Sequence, residues 1–194
     1  MKKLLGILVL GLILITPSQA DDIRDFQIDG MSIRDSLLNY MSEEEIKKNV
    51  IYVYPDKKFT VVKYKKSTEL YNAGINVEYK SKDKTYKIYG VVGIINFKNN
   101  IESCYKKQDE IEKEISSMFD EIKKDDWGIS DLDLKGTAAE GSTFKGIAFD
   151  FNNGDRINIA CYHYSDVPED NHLKIGMSSK EYIKYTKHKA EPAN

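Results

Sequence analysis

Cys104 and Cys161 are the only cysteines in the chain, and they stand 57 positions apart. A redox pair usually sits as Cys-x-x-Cys, so this spacing fits a single structural disulfide formed in an oxidising compartment. Closing a loop of that length removes ~4–5 kcal/mol of unfolded-chain entropy in the simple model. The imidazoles are His163, His172 and His188. Cys161-x-His163 followed by His172 starts like a metal cluster, but no fourth ligand stands nearby and Cys161 is better used in the disulfide, so no metal is assigned. The sequence holds no Gly-x-Ser-x-Gly, His-Glu-x-x-His, phosphate loop or Gly-x-Gly-x-x-Gly, and Glu140-Gly141-Ser142 lacks the second glycine of a nucleophile elbow. What remains for catalysis is a site assembled in space from Ser142 with His163 or His172. Asp120, Glu121, Asp125, Asp126, Asp131 and Asp133 crowd around Trp127. Asp131-x-Asp133 is only a fragment of a calcium loop, and the cluster reads as a solvated helix end with an acidic loop. No cofactor is expected.

Charge is spread unevenly. Lys47 to Lys87 holds eleven lysines against four acids, whereas Glu102 to Asp133 holds eleven acids against five lysines. The first stretch also carries Tyr52, Tyr54, Tyr64, Tyr71, Tyr79 and Tyr86. Lysine and tyrosine on one sheet surface could hold a glycan, an anionic polymer or another protein, and the candidate ligand-binding residues are Tyr52, Tyr54, Lys63, Tyr64, Lys65 and Tyr79. The competing reading is that tyrosine fills the rim of the core while lysine keeps strand edges unpaired.

The chain opens Met-Lys-Lys, continues with an apolar run from Leu4 to Ile15, and reaches Ser18-Gln19-Ala20 before Asp21-Asp22. That is the pattern of a cleaved signal peptide over residues 1–20, and its apolar run is too short for the ~20 residues that span a bilayer. Removing it takes Lys2 and Lys3 and no acid, leaving 27 basic against 31 acidic residues. Such a balance argues against general nucleic-acid binding. Residues 21–194 fit one domain, periplasmic or secreted, with no transmembrane anchor after processing.

The elements that must position these residues follow from periodicity. Lys84 to Phe97 reads as a central strand, with Tyr86, Ile88, Val92 and Ile94 on one face and Tyr89, Val91, Ile95 and Phe97 on the other. Gly90 and Gly93 mark a bend, a bulge or a close backbone approach. Asn99 and Glu102 open a helix that runs to Lys124 with an apolar stripe at three- and four-residue steps. Val50 to Tyr54, Phe59 to Tyr64 and Ile75 to Lys80 lead into the central strand as an antiparallel meander. Thr143 to Phe151 and Asp155 to Tyr164 form a hairpin. A three-residue loop, Asn152-Asn153-Gly154 with Gly154 left-handed, sets Phe149 opposite Ile157 and Ile147 opposite Ile159, and puts Cys161 on the buried face. His172 to Ile175 reads as a short edge strand. Ser32 with Asp35, and Ser42 with Glu45, make capping boxes for two short helices, the second with a Met41–Ile46 staple, and a last helix starts after Ser178. Gly30-Met31-Ser32 and Gly176-Met177-Ser178 read either as an internal duplication or as one favourable helix start reused, and the second is preferred because the flanking strands do not align.

The stretch Asp29-Gly-Met-Ser-Ile-Arg-Asp-Ser-Leu-Leu38 with Ser42-Glu-Glu-Glu-Ile46, and Cys104-Tyr-Lys-Lys-Gln108, resembles uncharacterised short exported bacterial proteins. The two Gly-Met-Ser phrases are similar to the repeat unit of small outer-membrane assembly lipoproteins and β-lactamase-inhibitor-like domains, which implies a binding module with helices on one face of an antiparallel sheet. The chain lacks the Gly-x-Pro and the lipobox cysteine of those proteins. The expectation is therefore an α+β domain: an antiparallel sheet of about six strands with one long helix and short terminal helices packed on it. The expected function is an exported, non-enzymatic module that binds a protein or glycan partner in the cell envelope. A small exported hydrolase is the alternative.

Overall fold

A computed structural model describes residues 22–64, 70–119, 122–132 and 140–190. The leader-like N-terminus and Lys65 lie outside them. The elements are helix α1 (Glu43–Lys48), strands β1 (Val50–Val53), β2 (Phe59–Tyr64), β3 (Gly74–Lys80) and β4 (Ile88–Asn96), helix α2 (Ile101–Met118), strands β5 (Lys123–Asp131), β6 (Thr143–Asp150), β7 (Arg156–His163) and β8 (His172–Ser178), and helix α3 (Lys180–Ala190). The architecture is α+β with one antiparallel sheet of eight strands, not about six, ordered β1-β2-β3-β4-β8-β7-β6-β5. Two four-stranded meanders are thus joined where their last strands, β4 and β8, pair.

One row across the sheet shows why it holds. Val62, Val77, Val91, Met177, Ile157 and Phe149 stand opposite one another over six strands. All six are fully buried. Each such side chain contributes about 1.5–3 kcal/mol of transfer free energy. Over β2–β4 this face is covered by the N-terminal segment, through Ile23, Ile28, Met31, Ile33, Leu37 and Ile46. The segment is fixed by Arg34 N–H to Ile88 O and Ile88 N–H to Asp35 O, both 2.8 Å. Over β7 and β8 the cover is α2. Cys104 in its first turns and Cys161 on β7 form a disulfide with Cα atoms 6.0 Å apart, and Gln108 Nε2 donates to Lys145 O and Ile159 O at 2.9 and 3.1 Å.

The β6–β7 hairpin has the expected register, Phe149 opposite Ile157 and Ile147 opposite Ile159. Gly154 takes φ +87° in the three-residue loop. The capping box of α1 is formed, Glu45 N–H donating to Ser42 Oγ and Ser42 N–H to Glu45 Oε2, and Met41 and Ile46 are both buried. Gly93 lies under the ring of Tyr71, and Gly90 lies under Glu78 and Tyr182, so both are close approaches.

Six further expectations are corrected. The long helix is capped by Asn100, whose side chain accepts Ser103 N–H, and stops at Met118 instead of Lys124. Beyond it Lys123–Asp131 is an edge strand exposed along most of its length, which carries no apolar alternation because neither face is covered. His172–Ser178 is central, not an edge: it pairs with β4 on one side and β7 on the other. Ser32 receives only half a box, its N–H donating to Asp35 Oδ2; the chain there runs beside the start of β4, and a 3₁₀ turn at Leu37–Asn39 follows in place of the expected helix. Gly176, Met177 and Ser178 belong to β8, and the cap of α3 is Ser179, whose Oγ accepts Tyr182 N–H. In β4 an irregularity in the pairing of Glu78 and Tyr79 places Ile88 on the same covered face as Val91 and Ile95, opposite to Val92 and Ile94.

Candidate functional site

In an antiparallel meander the first and third turns lie at the same end of the sheet. The β1–β2 turn, Pro55 to Lys58, therefore meets the β3–β4 connection, residues 81–87. Strand β8 runs antiparallel to β4 and delivers the start of α3 to this end, and the β6–β7 turn arrives there too. Asp155 locks the junction: it is 2% exposed, its Oδ2 accepts from Arg34 Nη2 at 2.6 Å and Asn153 Nδ2 at 2.9 Å, and its Oδ1 accepts Lys180 N–H at 2.9 Å.

Helix α3 packs over β4 on the face away from α2 and the N-terminal segment. Tyr182 is buried there, with its hydroxyl 2.7 Å from Tyr54 Oη. Beneath it is Glu78, 6% exposed, with Oε2 lacking a hydrogen-bond partner. Burial pushes its carboxyl up to about 8, so at neutral pH it is held mainly as the acid. The same burial pushes the Tyr182 hydroxyl up.

Between the β1–β2 turn, the β3–β4 turn and α3 lies a cleft of about 620 Å³. Phe59 and Tyr185 form its aromatic wall, their ring centroids 4.8 Å apart. Lys57, Lys58, Lys80, Lys82 and Lys184 line it, with Asp56 and Glu181. Glu181 is taken by Lys80 at 2.7 Å, which raises the lysine's pKa, and Asp56 Oδ1 accepts the Tyr185 hydroxyl at 2.7 Å. Among the described residues Lys57, Lys58, Lys82 and Lys184 have no ion-pair partner, and all four are exposed. Lysines converging on an aromatic surface suit an anion that also carries apolar or planar parts.

Of the six candidate binding residues, two adjoin this cleft. Tyr52 is exposed on β1 and meets Tyr54 edge-on at 5.0 Å; Tyr54 in turn meets Tyr185 at 5.2 Å. Tyr64 and Tyr79 point into the core at 7% and 6% exposure, so they take no part in a surface. Lys63 is exposed at the far end of β2, with its chain against Gly74. The residues that sequence reasoning missed are the turn lysines. Their signal was present, since an expected meander already implies that Lys57-Lys58 and Lys80-Ser-Lys82 share one end.

The candidate hydrolytic residues do not come together. Ser142 is buried, its Oγ 3.2 Å from Ser165 Oγ and accepting Ser165 N–H at 3.1 Å. His172 shares Nδ1 with Asp170 O at 2.7 Å, stacks on Tyr162 at 5.0 Å, and has its pKa lowered by burial. Among the described residues no hydrogen bond joins a serine hydroxyl to an imidazole, and no three His, Cys, Asp or Glu side chains converge as metal ligands. No described helix is long and apolar enough to cross a membrane. Comparison with family models, with curated proteins and with solved structures gives no match to any of them.

Proposed function

We propose that this protein is an exported, non-enzymatic binding module whose lysine-lined cleft takes an anionic protein or glycan partner in the cell envelope. One observation carries the reading: four exposed lysines with no ion-pair partner among the described residues surround an aromatic wall at the end of the sheet where three connections converge. Fixed like charges in one cleft raise the local concentration of an anion and speed its encounter, an effect that salt screens. Export is supported by the leader-like first twenty residues and by a disulfide that an oxidising compartment would maintain.

Titration calorimetry with polyglutamate, polygalacturonate and neutral dextran tests the cleft. The two polyanions should be candidates for binding and dextran should not bind. The affinity of whichever polyanion binds should fall at least tenfold between 50 and 300 mM salt and again in a Lys57→Glu/Lys58→Glu/Lys184→Glu variant. Equal binding by that variant, or binding that ignores salt, would remove the reading. N-terminal sequencing of protein from the periplasmic fraction should begin at Asp21.

A further inference from the structure

Among the described residues, strand β1 is hydrogen-bonded on one side only, to β2. Ile51, Tyr52 and Val53 on it are 44–52% exposed, three consecutive apolar side chains at a sheet edge. Tyr54 N–H is committed to Phe59 O at 3.1 Å. Since backbone groups alternate along a strand, the N–H and C=O of Val53 face the unpaired side.

The charges around this edge select its occupant. Lys48 precedes β1 and Lys57 and Lys58 follow it, all three exposed and without an ion pair among the described residues, so lysine frames the short apolar strand at both ends; Lys47 is held by Glu43 at 2.7 Å, and Asp56 accepts the Tyr185 hydroxyl. A second copy adding in antiparallel fashion would bring Lys57 and Lys58 of one molecule against Lys48 of the other, and like charges oppose that pairing. An extended peptide with acids at both ends and β-branched residues between them meets the opposite condition. It forms main-chain bonds at the edge, covers Ile51 and Val53, and places carboxylates beside the turn lysines. The contact also continues into the cleft along the Tyr52–Tyr54–Tyr185 ring contacts.

From this geometry we infer that the anionic partner is an extended acidic protein segment that joins the sheet as a ninth strand along β1. The inference rests on the reading of the cleft as an anion site and narrows it to a protein.

The probe is an acetylated, amidated octapeptide, Glu-Glu-Val-Thr-Val-Thr-Glu-Glu, followed by amide chemical shifts and calorimetry on the full chain at 50 mM salt. The same peptide with lysine for glutamate, and polygalacturonate, serve as comparators. The acidic peptide should bind, shift the Val53 amide and protect it from exchange, while the lysine peptide should not bind. Val53→Pro removes the outward N–H from an edge position where proline is tolerated, and should weaken the peptide at least tenfold while leaving polygalacturonate affinity, if any, unchanged. Lys57→Glu/Lys58→Glu should weaken both ligands, and its melting temperature reports whether the fold is intact. A peptide that binds with Val53 unshifted and Val53→Pro without effect overturns the strand addition. Polygalacturonate binding with no peptide binding overturns it too and leaves the cleft reading standing. Binding by neither acidic probe overturns both.

Discussion

Strands β1 and β5 occupy equivalent places, each the outermost strand of one four-stranded meander, yet they meet solvent differently. β5 places Lys123, Lys124, Asp125, Asp126 and Asp131 along its edge and breaks register near Trp127, so charges of both signs and an irregular ladder discourage any added strand. β1 exposes apolar side chains, and the exposed lysines nearest its ends, Lys48, Lys57 and Lys58, have no ion-pair partner among the described residues, which opposes a copy of itself and admits an acidic partner. The cover over the two halves differs as well. A disulfide ties α2 to the β5–β8 half, whereas α3 sits on the β1–β4 half through tyrosines and one buried aspartate. One half is fastened, and the other keeps an edge and a cleft available.

Breaking the fastening should have the largest effect. Cys104→Ala/Cys161→Ala should lose about 4 kcal/mol and roughly 10 °C of melting temperature relative to the oxidised protein, and a reductant should lower the parent but not the variant. Exchange protection should fall first in α2 and β7.

Glu78 tests the other half. Its folded-state pKa of about 8 lies above the unfolded value of 4.5, so the unfolded chain releases its proton first as pH rises. The resulting destabilisation is absent below pH 4.5, grows between 4.5 and 8, and is complete above 8. Glu78→Gln should therefore stabilise the protein by roughly 2–3 kcal/mol at pH 9 and hardly at all at pH 4, read from denaturant midpoints across that range.

Asp155→Ala should remove about 2 kcal/mol by leaving Arg34 and the first N–H of α3 without their acceptor. Limited proteolysis should then cut α3 before it cuts α2. The smallest effect sharpens the contrast between edges. Lys48→Glu should change stability by less than about 0.5 kcal/mol, yet it makes β1 partly complementary to itself, and sedimentation should show a concentration-dependent dimer that Val53→Pro abolishes.

What could be read in advance follows the range of the interactions involved. The hairpin register was legible because Phe149, Ile147, Ile157 and Ile159 must share a face and only one loop length allows it. The face of Cys161, and with it the disulfide, followed from that register. β5 was illegible because an edge strand with both faces exposed has no apolar period, and its charged residues continue the pattern of the preceding helix surface. Tyr64 and Tyr79 are buried, not on the surface, because alternation tells which residues share a face but not which face is covered.

By itself the sequence determined the local units: the α1 capping box, the first meander, the β6–β7 loop and the pairing of the two cysteines. Each depends on residues that meet through a short span or through a single face assignment. Only the tertiary structure decided that β8 would sit between the two meanders, that α2 and α3 would cover opposite faces, and that lysines from separate connections would converge on one cleft. Those outcomes depend on which apolar faces bury one another over distances of a hundred residues, and no local periodicity encodes that choice.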